Sequence, residues 1–190
     1  MLDLKALLSK ILWNLYRPIG TYHGTTNTTV ANQSQTSTNS WVYPTSTTGW
    51  TYSHPILNSN YFSIDQNGFR VLKDGIYRLS IAVHFNGTGG QMTWAQRFWN
   101  YTQSLQLGTS IYAQTQNAYA SISNVWVGEI QANQTIVPQV NRYAGSGKWR
   151  TSLLDWSIEY VSPIDYQTGG GGNKLLNFIT KFFKKEVIVC

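Results

Sequence analysis

The chain has 190 residues, 42% hydrophobic and only 12% charged, with a net charge of +6 and a single cysteine, Cys190. Such a length holds one domain with appendages, and one cysteine excludes an intramolecular disulfide. Four of the basic residues, Lys174, Lys181, Lys184 and Lys185, crowd near the C-terminal end, so the remainder lacks the basic stripe that nucleic-acid binding requires.

Residues 1–16 read as a short helix. Leu4, Leu8, Ile11 and Leu15 follow the four-three-four spacing of a coiled-coil seam, and Pro18 ends it. A helix this short is marginal alone, so residues 1–18 are expected to be a stem held together by an oligomeric body. Asp3, Lys5 and Lys10 interrupt the apolar run that a signal peptide needs. No stretch reaches the roughly 20 apolar residues of a membrane span. The expected location is an extracellular virion, reached by particle assembly rather than secretion.

Residues 19–60 are rich in Thr, Asn, Ser and Gly, with aromatics at Tyr22, Trp41, Tyr43, Trp50 and Tyr52. They read as short strands between long loops. Phe69 and Val71 begin a short alternating run, and Lys73-Asp74-Gly75 is read as a hairpin turn, since Asp-Gly tolerates positive φ. Tyr77, Leu79, Ile81, Val83 and Phe85 then alternate with Arg78, Ser80, Ala82 and His84. That period of two is a strand with one buried face. Asn86-Gly-Thr-Gly-Gly reads as a hairpin loop, and Met92 to Tyr101 as a strand carrying Trp94, Phe98 and Trp99. Further strands are expected over 103–112, from Tyr119 to Gln131, and from Thr135 to Val140, where Pro138 suits an edge or a bulge. Leu154, Trp156, Ile158 and Tyr160 alternate in the last strand. Many short strands turning on Gly and Asn indicate an all-β antiparallel sandwich.

The pattern Phe62-x5-Gly68-Phe69-x-Val71-x3-Gly75-x-Tyr77-x-Leu79-Ser80 resembles the jelly roll shared by tumour-necrosis-factor-like cytokines and complement globular heads. The closing run from Ser152 to Tyr160 is similar to that family's final strand. Gln131 to Val137 stands where the family usually has Ala-Gly-Asp, and here the Gly and Asp are absent. The resemblance covers about residues 41–161. It implies a two-sheet jelly roll assembled as a compact homotrimer, and with a helical stem it resembles the tips of bacteriophage tail fibres and related receptor-binding proteins. Eight Trp and twelve Tyr give a separate motive for a trimer, because a solitary subunit without disulfides is expected to leave aromatic surface wet. The strand from Tyr77 to Phe85, with Leu79, Ile81 and Val83, or one of its neighbours, is the expected seam.

No catalytic constellation is visible. His23, His54 and His84 are scattered, with no metal-ligand spacing, so neither a metal nor a cofactor is expected. Asp155 and Glu159 share a strand face, but four residues of strand separate them by about 13 Å. Glycoside hydrolysis needs carboxyl groups about 5–9.5 Å apart. The expected activity is therefore binding, without catalysis. Planar rings cover sugar C–H faces while amides satisfy hydroxyls, so Trp41, Trp50, Trp94, Arg97, Trp99 and Tyr101 are the candidate ligand-binding residues.

After residues 19–166, the expected head, Gly169 to Gly172 lie in a flexible linker, residues 167–172. Residues 173–190 follow. On a helix, Leu175, Phe178, Ile179, Phe182 and Phe183 share one side and Lys174, Lys181, Lys184 and Lys185 the other. Such a basic amphipathic helix fits a membrane surface, docking on the trimer or another virion protein, or a segment appended to the body. The sequence thus points to the trimeric head of a bacteriophage receptor-binding protein that attaches to a cell-surface glycan or envelope component. The alternatives are a virion decoration or capsid jelly roll, and a membrane-active secreted protein using the last helix.

Overall fold

The computed structural model describes residues 8, 17–26, 40–43, 50–54, 56–65, 68–87, 91–115, 119–145 and 149–164. In chain order the strands are β1 (Ile19–Thr26), β2 (Trp50–Ser53), β3 (Phe62–Asp65), β4 (Gly68–Val71), β5 (Gly75–Gly87), β6 (Met92–Asn100), β7 (Leu105–Thr115), β8 (Tyr119–Ile130), β9 (Thr135–Ala144) and β10 (Trp149–Ser162). They form two five-stranded sheets. The first, sheet A, has the order β2-β1-β10-β5-β8; the second, sheet B, has the order β3-β4-β9-β6-β7. Every strand pairing is antiparallel. Only β1–β2, β3–β4 and β6–β7 are sequential neighbours; the other connections pass between sheets. This interleaving is a jelly roll, the fold class expected from the sequence.

The passage between sheets corrects two expected hairpins. Lys73-Asp74-Gly75 carries the chain from β4 in sheet B to β5 in sheet A, and Asn86-Gly87 leaves β5 for β6 in the opposite sheet. Gly75 does not take positive φ. It is needed for space: a β-carbon there would stand 2.3 Å from Cε2 of Tyr160. Pro138 lies in β9, an interior strand, yet β4 reaches only Thr135 and Ile136. The next partner on that side is Val42, bridged to Val140. Pro138 therefore sits in a locally open stretch, where its missing N–H costs no ladder bond.

Alternation along β5 sets the core. Tyr77, Leu79, Ile81, Val83 and Phe85 point between the sheets, and none is more than 4% exposed. Phe62, Phe69, Met92, Trp94, Phe98, Ile136 and Val140 meet them from sheet B. Phe85 stacks on Trp94 at 4.8 Å between centroids, and Trp149 meets Trp94 edge-on at 5.4 Å. Such ring pairs each contribute roughly 0.5–1.5 kcal/mol beyond buried area.

Two expectations about the trimer are corrected here. Tyr77, Leu79, Ile81, Val83 and Phe85 cannot form a subunit seam, because one subunit's own sheets already cover them. The aromatic excess is a weaker motive for oligomerisation than its number suggests: Trp94, Trp149, Trp156, Tyr22, Tyr77 and Tyr160 are buried within a single chain, while Tyr101, Tyr112, Tyr119 and Tyr143 stay exposed. A sandwich has two inner faces, and together they absorb more ring area than one strand's pattern suggests. Of the four seam positions in the stem only Leu8 is described, and it is exposed; Leu4, Ile11 and Leu15 lie outside the described residues. So do the glycine linker and the whole tail, including Lys174, Leu175, Phe178, Ile179, Lys181, Phe182, Phe183 and Lys185.

Candidate functional site

β6 presents opposite faces at alternate residues. Met92, Trp94, Gln96 and Phe98 point inward; Arg97 and Trp99 point outward. The segment 40–43 lies beside β9 through reciprocal backbone bonds between Val42 and Val140, both 2.9 Å. Trp41 is thereby delivered to the outer face of sheet B. The Arg97 guanidinium lies 4.1 Å from the Trp41 ring centroid and 4.2 Å from that of Trp99, so an indole covers each of two sides of the cation. Such contacts are worth about 0.5–2 kcal/mol each, more as water is excluded.

Two glutamines hold the fork in place. Arg97 Nε donates to Gln139 Oε1 at 2.8 Å, and Nη1 donates to Gln106 Oε1 at 3.3 Å. Gln106 is fixed in turn by donating Nε2 to the Gly108 carbonyl at 3.1 Å. It owes that position to a bulge in β7. Gln96 pairs with Ile111 while Phe98 pairs with Leu107, so β7 carries extra residues opposite Arg97, and Gly108 turns with φ +67°. Burial pulls the Arg97 guanidinium below its ordinary pKa, with the Tyr112 hydroxyl acting in the opposite sense; arginine remains charged regardless.

Tyrosines extend the platform. Tyr43 and Tyr101 lie 6.4 Å apart, and Tyr112 meets Tyr143 edge-on at 5.5 Å. Tyr101, Tyr112 and Tyr143 are exposed. Burial raises the Tyr43 pKa, while its hydrogen bond with Gln139 opposes the rise. The result is a ring-lined surface with amide groups and one cation fixed at its centre.

The structure brings together Trp41, Arg97, Trp99 and Tyr101 from the sequence candidates. It removes Trp94, which is 0% exposed and belongs to the core. Its even-numbered register with Met92 and Phe98 already separates it from Arg97 and Trp99. Trp50 opens β2 in sheet A, paired with Thr26, away from this surface in the sheet order. Tyr43, Gln106, Tyr112, Gln139 and Tyr143 are site residues that sequence reading missed. Only Tyr43 carried a signal, its two-residue spacing from Trp41.

A concavity lies on the outer face of sheet A, a groove of about 660 Å³ floored by small side chains such as Ser80, Ala82 and Ser157. The Ser80 and Ser157 hydroxyls bond across β5 and β10 at 2.7 Å. Ile56 and Val125 stand at its sides, and Val125 and Val127 on β8 are exposed. The carboxylates of β10 are both engaged. Asp155 pairs with His23, and Glu159 is held between Arg17 (3.0 Å) and Arg78 (2.5 Å). Asp65 and Asp74 act at a distance rather than on their own turns. Asp65 Oδ2 accepts from the Thr135 hydroxyl at 2.7 Å, and Asp74 Oδ1 accepts from the Ala132 N–H at 2.7 Å. Among the described residues no three of His, Cys, Asp and Glu gather as a metal site would require, and no helix is long and apolar enough to cross a membrane.

Among solved structures, the chain is similar to murine APRIL, with 14% identity over 75% of this chain and 99% of that one, at a TM-score of 0.47. It is similar to Eiger TNF from S. frugiperda, with 12% identity over 82% and 100% of the two chains and a TM-score of 0.48. The globular domain of zebrafish complement 1qA shares 12% identity over 78% and 99%, with a TM-score of 0.46. No protein-family model and no curated protein matches the chain.

Proposed function

We propose that the chain is a non-catalytic binding head that attaches to a cell-surface glycan or envelope component through the outer face of sheet B. The observation that carries this reading is the Arg97 guanidinium fixed between Trp41 and Trp99 by Gln139 and Gln106. Ring faces and oriented amides are the two chemistries a saccharide needs, one for its C–H faces and one for its hydroxyls. Both are pre-positioned here, which reduces the ordering cost of binding. The engaged state of Asp155 and Glu159 supports binding rather than hydrolysis.

The head works as a homotrimer in this reading, with the seam moved from the buried strand residues to the outer face of sheet A. Support comes from the small side chains on the groove floor and its continuity with exposed Val125 and Val127. The context of a bacteriophage fibre or receptor-binding protein, and hence a virion location, rests on the sequence resemblance of the opening segment and head.

A glycan array probed with the full chain tests the assignment. Binding to a defined set of glycans, lost in Trp41→Ala and Trp99→Ala, supports it. A trimer that binds no glycan supports the structural decoration or capsid role instead.

A further inference from the structure

Arg97 differs from Arg17, Arg70, Arg78 and Lys73 in what surrounds it. Arg17 and Arg78 face Glu159. Arg70, the exposed residue of β4, donates to Asn133 at 3.0 Å, and Lys73 lies over Tyr61. Arg97 is more enclosed, yet its hydrogen-bond acceptors are the neutral amide oxygens of Gln139 and Gln106. Among the described residues no carboxylate pairs with it. Partly burying a cation without a counter-ion is unfavourable, and among the described residues ring quadrupoles, amide dipoles and the Tyr112 hydroxyl offset that cost.

The geometry also selects what can reach the cation. Two indoles cover its sides, and Gln139 takes the Nε–H. A guanidinium has five N–H donors, of which two are bound here. The unbound donors lie at the Nη end of the fork. A planar carboxylate meets two such parallel N–H groups in a bidentate pair, stronger than bonds to neutral oxygens and directional as well.

We propose that the platform receives a saccharide bearing a carboxylate, such as a sialic or uronic acid unit, with its carboxylate on the Nη edge of Arg97 and its ring against the flanking indoles. The inference rests on the saccharide reading of this surface and names the substrate class within it. Gln106 and Gln139 act as positioning residues, fixing the fork so that its free edge faces outward.

Titration calorimetry on the full chain tests it with two matched pairs of ligands: sialyllactose against lactose, and trigalacturonate against its methyl ester. The acids are expected to bind at least about tenfold more tightly than their uncharged counterparts, the scale of a charged hydrogen-bond pair. That advantage should shrink as salt rises. Arg97→Gln should abolish it, and Arg97→Lys, which keeps the charge but not the fork, should remove most of it. The ester comparison uses the unaltered protein, so it decides the matter even if a variant fails to fold. Equal binding of acid and ester overturns the carboxylate assignment and leaves the saccharide platform standing. Absence of binding to all four ligands, together with an empty glycan array, overturns both.

Discussion

The Trp126 indole occupies the space that a side chain at Gly108 would need: a β-carbon there would lie 2.6 Å from Trp126 Cδ1. The contact joins β7, an edge strand of sheet B, to β8, an edge strand of sheet A, and so closes one side of the sandwich. Gly108 is also the residue whose φ of +67° makes the bulge opposite Arg97. Gly108→Val therefore combines backbone strain of about 1–3 kcal/mol with overpacking of about 1–3 kcal/mol. We expect a lower midpoint of urea unfolding with an unchanged slope. An unaltered midpoint would show that the edge closes by some other contact.

Trp94 and Trp41 should separate stability from binding. Trp94 is buried in a ring cluster with Phe85 and Trp149, and Trp94→Ala should cost about 3–5 kcal/mol. Trp41 covers Arg97 from the surface, and Trp41→Ala should cost only about 1 kcal/mol while removing glycan binding. Thermal melts and ligand titrations on both variants check the contrast. A Trp94 variant that folds normally but loses ligand would contradict the assignment of the two rings.

His54 gives the protein a pH dependence of known sign. It meets Tyr22 edge-on at 5.1 Å and Phe69 at 5.7 Å. Desolvation lowers its pKa from 6.5, and a backbone hydrogen bond with Thr21 only partly opposes this. The unfolded chain therefore binds a proton at a pH where the folded chain does not. Stability is full above about pH 6.5 and falls as pH drops through that value toward the depressed folded pKa. Melting temperatures from about pH 8 to pH 5 should decline more steeply for the unaltered protein than for His54→Gln. Parallel profiles would remove His54 as the source.

Ala82 tests the seam. It lies on the groove floor of sheet A, its neighbours across the strands being Ser123 and Asp155. Ala82→Arg places a charge on this face without touching the core. Light scattering should give three times the 21.5 kDa chain mass for the unaltered protein and one times that mass for the variant. A trimer that persists in the variant would move the seam elsewhere, and a monomeric unaltered protein would end the trimer proposal.

The alternating positions of β5 and of Leu154, Trp156, Ile158 and Tyr160 in β10 were legible in the sequence because a strand's period of two is local. From that pattern came the sandwich and the inward face; Trp41, Trp50, Trp94, Arg97, Trp99 and Tyr101 came as binding candidates from the chemistry of their side chains alone. The same reasoning failed where a residue's role depends on a distant partner. Lys73-Asp74-Gly75 looks like a hairpin and is a crossover, because which sheet receives β5 depends on β8 and β10. Tyr77 to Phe85 looked like a seam and are core, because the covering sheet is supplied by β4, β6 and β9. Gln106 and Gln139 are ordinary polar residues in sequence, and become site residues only when a bulge and a neighbouring strand aim them at one guanidinium. Local alternation determines which face of a strand is apolar; only strand pairing and sheet packing, formed between residues far apart in the chain, decide what that face meets.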